Sequence, residues 1–297
     1  MPSYRGNIGN LLQHWVLCEL VEFCNDQWPK LRFVDGYSMA PLAKERPKSH
    51  WSSQLFDHAR NRAKRESIYE RTWSGLDRCA SGYPSSAAFL AALWRGQYSM
   101  VLCEYDDVTV GELRSWKADR EREPRCGGVE VATGDWRQRF EAAVADADPL
   151  FLSFDPDMFS CSDASDDGRK MDSSDLARIV RVVPATGPVL MQLSTYSVNG
   201  ANTQAKVKAA VSSGLDGAGL ELLAVVKTDE QMMSLVLGRS CADAMVEKIS
   251  AMPERFESWL YQVKASFAVW TQPNQRLHPT TAGPQLPPLP RLARGRR

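Results

Sequence analysis

The sequence predicts a doubly wound α/β domain on a seven-stranded, mostly parallel sheet. Three observations carry that expectation. Seven short runs rich in β-branched and aliphatic residues recur between positions 31 and 237. Helical patterns fill most of the gaps, giving the strand–helix rhythm of a parallel sheet. The last two runs are separated only by Thr228–Gln231, too short for a crossover helix, so they pair as an antiparallel hairpin.

The strands are expected at 31–35 (LRFVD), 99–105, 128–132, 150–155 (LFLSFD), 188–194 (PVLMQLS), 221–227 and 232–237. The fourth and fifth are almost continuously apolar, as strands covered on both faces are. A first helix over 9–26 sets Leu12, Val16, Leu20 and Phe23 on one face. The stretch 42–80 then interrupts the rhythm and, with its charged helical segment 56–73, is expected to form a helical insertion beside the site. Residues 85–95 (SSAAFLAALWR) open with a serine suited to cap a helix. Further helices are expected at 107–119, 136–147, 173–182 and 203–213. Residues 242–268 form an amphipathic helix or helix pair, with Met245, Ile249, Phe256, Leu260 and Val263 as its apolar positions.

With 297 residues, 43% of them hydrophobic, the chain has ample material for one large core, and a domain over 1–270 is expected. The last 27 residues, 271–297, are rich in proline and arginine and are expected to be a disordered tail. That tail holds five arginines and no acid, so the neutral formal charge conceals a body near −5, which gives no electrostatic argument for nucleic acid. No apolar run is long enough to span a bilayer, and MPSYRGNIGN lacks the pattern of a signal peptide, so a cytoplasmic location is expected. Seven scattered cysteines, odd in number and without a CxxC, imply free thiols in a reducing compartment and no metal site.

The motifs that bear on chemistry sit at the strand ends. Ser3-Tyr4-Arg5 is followed by Gly6-Asn7 and then by Gln13-His14 on the first helix. The first strand ends in Asp35-Gly36, Tyr83-Pro84-Ser85-Ser86 opens a helix, and the second strand closes on Glu104. Gly134-Asp135 follows the third strand and Asp155-Pro156 the fourth. In this order the motifs resemble the J-type family of large-subunit ribosomal RNA adenine-N6 methyltransferases, within the class I S-adenosylmethionine-dependent superfamily. The match runs over roughly residues 3–240 and rests on order rather than on any single motif. Closing a parallel sheet with one antiparallel hairpin also resembles that superfamily's fold.

The resemblance implies S-adenosylmethionine as cofactor and RNA or DNA as partner. It assigns Asp35 and Gly36 to the methionine end of the cofactor, Glu104 to the ribose hydroxyls and Asp135 to the adenine edge. A carboxylate closing a strand is well placed to accept hydrogen bonds from a ribose diol. Asp155 and the Pro156 carbonyl would hold the acceptor amine, so that its lone pair faces the methyl group. Tyr4 and His14 would close the site.

The sequence departs from the family pattern in three places. Gln13 stands where the family has lysine, Gly36-Tyr37-Ser38-Met39-Ala40-Pro41 replaces a glycine-rich turn, and Asp157-Met158 replaces a proline and an aromatic. Phe159 comes one residue late, as a stacking ring or as core. Plainer roles compete at each position: a solvated carboxylate for Glu104, a helix cap for Asp135, a satisfied helix histidine for His14, and intrahelical ion pairs rather than RNA contacts for 56–73. A catalytically inactive methyltransferase fold that serves as a binding or regulatory module is the competing expectation for the whole chain.

Overall fold

The computed structural model describes residues 8–43, 67–76, 83–145, 147, 149–156, 158–160, 170–196, 201–228 and 232–270. Seven strands form the main sheet: β1 (Lys30–Asp35), β2 (Gln97–Glu104), β3 (Cys126–Thr133), β4 (Leu150–Phe154), β5 (Val189–Tyr196), β6 (Glu221–Lys227) and β7 (Met232–Arg239). Their spatial order is β3-β2-β1-β4-β5-β7-β6. All neighbours run parallel except β7, which is antiparallel to both β5 and β6. This is the class I methyltransferase-like Rossmann arrangement, and the expected hairpin supplies its antiparallel end.

The helices are α1 (Ile8–Asn25), α2 (Ile68–Leu76), α3 (Ser86–Leu93), α4 (Asp107–Arg120), α5 (Phe140–Val144), α6 (Ser173–Val182), α7 (Ala201–Leu215), α8 (Asp243–Ser250) and α9 (Met252–Trp270). They divide the apolar interior into two cores, one on each face of the sheet. Trp15, Leu20, Phe89, Met245 and Phe256 pack over one face with Phe33 and Phe151. Phe140, Leu176, Ile179, Val207 and Val211 cover the other, against Leu152, Phe154 and Leu193. Alternate residues of β1 and β4 therefore point to opposite cores, as a strand's two-residue period requires.

Two helix starts follow directly from sequence. Ser85 caps α3, its side chain accepting from the Ala88 amide. Asp172 caps α6 in a capping box with Asp175, satisfying amides that a bare helix start leaves unpaired. The expected 136–147 helix is instead a 3₁₀ turn, Trp136–Gln138, and the short α5, parted by Arg139.

Tyr83-Pro84-Ser85-Ser86 leads into α3 as expected, and its first two residues also form a short strand paired with Leu42–Ala43. A second small pair, Met158–Ser160 with Lys170–Asp172, lies beyond β4. Of the insertion, 44–66 and 77–82 lie outside the described residues, and α2 is its described helix. The 271–297 tail also lies outside them. Among the described residues no helix is long and apolar enough to cross a membrane, and no group of metal-binding side chains could hold an ion.

Candidate functional site

The strand order reverses between β1 and β4, because the chain goes from β1 to one side of the sheet and from β4 to the other. The crevice outside the carboxyl ends at such a switch point is where open α/β sheets bind ligands. Asp35 closes β1, Glu104 closes β2, Asp135 lies two residues beyond β3, and Asp155 follows β4 directly. Register pairs Asp35 with Ser153 and Ser153 with Gln192 across three adjacent strands. Strand alternation turns Asp35, Glu104, Ser153 and Gln192 to the face that α1 covers.

Asp35 is only 1% exposed. Burial, reinforced by the nearby Glu104 charge, pushes its carboxyl up to about 7 even though the Tyr37 amide donates to it. Gly36 follows because its Cβ position lies 2.6 Å from the Phe154 ring, so an alanine there must displace a packed aromatic. The turn differs from a phosphate- or carboxylate-cradling glycine loop in its bonding. The Gly36 amide donates to the Ser153 carbonyl at 3.0 Å and the Ser38 amide to the Cys103 carbonyl at 2.8 Å. With the Tyr37 amide on Asp35, all three amides of the turn are committed within the protein.

Glu104 is half-buried, and its Oε1 accepts from the amides of Tyr105 at 2.6 Å and Asp106 at 2.9 Å. These bonds orient the carboxylate at the mouth of β2. Asp135 caps the 3₁₀ turn through the Arg137 amide and also pairs with the Arg137 guanidinium at 3.0 Å. The cap expected from sequence is thus present, together with an ion pair that the sequence did not announce.

Asp155 is half-buried and Pro156 buried. The Asp155 charge reaches the buried Tyr83 phenol, where burial first and this charge last raise the phenol pKa well above its usual range. The Tyr83 hydroxyl donates to the Asn10 carbonyl, meets His14 Nδ1 at 2.8 Å and lies 3.2 Å from the Tyr69 hydroxyl. His14 Nε2 meets Ser86 Oγ at 3.1 Å. With both ring nitrogens engaged and burial lowering its pKa to about 3, His14 is neutral and acts as a node joining α1 to α3 and to Tyr83. Phe159 is 4% exposed within the second core, so the packing role wins there over stacking on a ligand. Tyr4 and Asp157 lie outside the described residues.

Sequence reasoning missed a polar lining beneath α1. The Gln192 amide donates to the Gln13 carbonyl, Ser194 and Ser234, all deeply buried. Among the described residues, Gln13 Oε1, Ser153 Oγ and Gln192 Oε1 find no hydrogen-bond partner. Polar residues inside the apolar run PVLMQLS were the available signal, since a buried amide needs partners. The polar row beneath α1 is therefore rich in acceptors: the buried Asp35 carboxyl and two amide oxygens without a partner among the described residues, with the Glu104 carboxylate at the strand end. Such a set fits a cationic, donor-bearing ligand such as S-adenosylmethionine at its ammonium and ribose. The 36–38 turn offers no amide for its carboxylate. An open groove of about 380 Å³ at the amino ends of β1 to β3, lined by Lys30, Arg32 and Gln97, contains none of these groups, and the chemistry favours the opposite edge.

No protein-family model matches the chain, and no curated protein matches it. Solved structures do. Protein LPL1258 of Legionella pneumophila, which carries the family label DUF519, overlaps at a TM-score of 0.52 and 14% identity, over 84% of this chain and 92% of its own. The likeness is one of fold. Fibrillarin of Aeropyrum pernix with bound S-adenosyl-L-methionine overlaps more loosely, at a TM-score of 0.32 and 18% identity over 51% and 60% of the two chains. TYW2 of M. jannaschii in complex with AdoMet does so at 0.37 and 9% over 78% and 75%. Overlaps that loose carry no weight for activity.

Proposed function

We propose that this protein is a diverged S-adenosylmethionine-dependent methyltransferase whose acceptor is a nucleobase amine, the adenine N6 of RNA or DNA being the favoured candidate. The observation that carries the reading is the gathering of Asp35, Glu104, Asp135 and Asp155 at the carboxyl ends of strands flanking the switch point. When bound, S-adenosylmethionine supplies a methyl group activated by its sulfonium.

In this reading Glu104 accepts hydrogen bonds from the ribose hydroxyls and Asp135 accepts from the adenine amine. Asp35 beside the crevice favours the cationic end of the cofactor, and Gly36 keeps the turn pressed on Phe154 so that Asp35 stays in place. The Asp155 carboxylate and the Pro156 carbonyl accept from the acceptor amine and aim its lone pair, which lowers the barrier by orientation. His14 serves by fixing Tyr83 beside Asp155 rather than by moving a proton. Tyr4 is assigned to the closing role by the sequence resemblance alone.

The committed amides of the 36–38 turn favour a second reading, a binding module that has kept the fold and lost turnover. Incubation of the full chain with methyl-labelled cofactor and with total RNA or genomic DNA separates the two. Label transferred by the wild type and lost at least about a hundredfold in Asp155→Ala supports the enzyme. Cofactor binding without transfer to either polymer supports the module.

A further inference from the structure

Outside the crevice proper, the strongest cluster of charged side chains centres on Arg137. Its guanidinium donates to Asp175 through Nε at 2.5 Å and through a terminal nitrogen at 2.6 Å, a two-pronged pair. The Asp175 side chain is only 2% exposed. The other terminal nitrogen reaches Asp135 Oδ2 at 3.0 Å, and the Arg137 amide holds Asp135 Oδ1 at 2.9 Å. The Lys170 carbonyl accepts from the same guanidinium at 2.7 Å and from the Tyr37 hydroxyl at 3.2 Å. Trp136 Nε1 donates to that hydroxyl at 3.2 Å, and the guanidinium lies 5.5 Å from the centre of the Trp136 ring.

The Arg137 side chain thus ties the Gly134–Arg137 loop after β3 to the strand that leads into α6, and the Lys170 carbonyl it shares with Tyr37 links the turn after β1 to both. Helix capping alone would have needed only the bond from Asp135 to the Arg137 amide. The second bond, from the guanidinium, restrains the remaining rotation of the Asp135 carboxylate. Its anchor, Asp175, is fixed in turn as a member of the α6 capping box. A planar, five-donor guanidinium can hold all of these acceptors at once, which a lysine ammonium cannot reproduce.

We propose that Arg137 is a positioning residue that sets the base specificity of the cofactor site, holding Asp135 in the one orientation from which it accepts a hydrogen bond from an adenine 6-amino group. This rests on the reading of the crevice as a cofactor site, and adds to it the residue that makes the site choose adenine. A carboxylate held as an acceptor rejects a base that presents an oxygen at that position, because two acceptors then face each other. A carboxylate free to rotate away discriminates less.

The test is calorimetric titration of the full chain with S-adenosylhomocysteine and with its inosine analogue, in which the 6-amino group is replaced by oxygen. Wild type, Arg137→Lys and Asp175→Asn are compared, with the melting transition of each recorded. The expected result is a wild-type preference for the adenine ligand of at least about tenfold. In both variants the preference falls several-fold, through weaker adenine binding, while the inosine ligand changes less than about twofold. Asp175→Asn is the sharper variant, because it leaves Arg137 and Asp135 in place and weakens the two-pronged anchor, while its melting transition reports any loss from the α6 capping box that Asp175 shares. If both ligands weaken equally, or the preference is unchanged in variants that still melt cooperatively, the brace is structural and the inference is overturned. If the wild type binds neither ligand, the cofactor reading itself fails and the inference falls with it.

Discussion

Asp35 concentrates the conflict between stability and function in one carboxyl. Its folded-state pKa of about 7 stands above the roughly 3.9 of an unfolded aspartate. Between those values the folded chain keeps a proton that the unfolded chain releases, so rising pH costs stability across that window, on the order of 4 kcal/mol at full effect. Asp35→Asn should therefore melt higher than wild type at pH 8, with the difference closing toward pH 4. An unchanged melting temperature at pH 8 counts against a buried, strained Asp35. In the proposed cofactor site the same ionisation favours a cation, so affinity for S-adenosylmethionine should rise as pH passes through about 7. Asp35→Asn should flatten that profile in a titration run from pH 6 to pH 8.

How much of this was legible beforehand differs from residue to residue. Asp35, Glu104, Asp135 and Asp155 could be picked from sequence because each follows an apolar run, and strand ends are where a parallel sheet exposes chemistry. Arg137 and Gln192 could not be given their roles in the same way. A guanidinium shared between positions 135 and 175 is a contact across 38 residues, and no local pattern encodes it. His14 was visible as a polar residue on an apolar helix, but only its full burial and its bonds to Tyr83 and Ser86 show that it stays neutral.

Among the elements, the long and periodic ones were readable and the short ones were not. The expected 173–182 and 221–227 coincide with α6 and β6, and the expected hairpin closes the sheet. The two-residue pairing of Leu42–Ala43 with Tyr83–Pro84 has no periodicity to detect, since it exists only through contacts some forty residues apart. The cap of α6 makes a checkable point at this scale. Asp172→Ala removes the acceptor for the Ser174 and Asp175 amides and should lower stability by about 1–2 kcal/mol in denaturant unfolding. It should also loosen Asp175, which bonds the Asp172 amide. Gly36→Ala acts on the turn after β1, where overpacking against Phe154 should cost about 1–3 kcal/mol by the same measurement. A neutral outcome would mean that the turn has slack which the 2.6 Å approach denies.

For the molecule as a whole, the fold follows from alternation and sheet closure, while the site follows from where the topology reverses. Two apolar cores fix the sheet from both faces, and the polar row Asp35, Ser153 and Gln192 crosses β1, β4 and β5 beneath α1. Burying such a row is costly unless its groups find partners. In the proposed reading, a donor-rich, cationic nucleoside ligand supplies such partners.

Equilibrium titration of the purified full chain with S-adenosylhomocysteine, beside Glu104→Ala, tests that claim most directly. The account predicts micromolar binding by the wild type, weakened at least about tenfold when the carboxylate that closes β2 is removed. No heat of binding from a cooperatively folded wild type, or equal affinity in the two proteins, would contradict it.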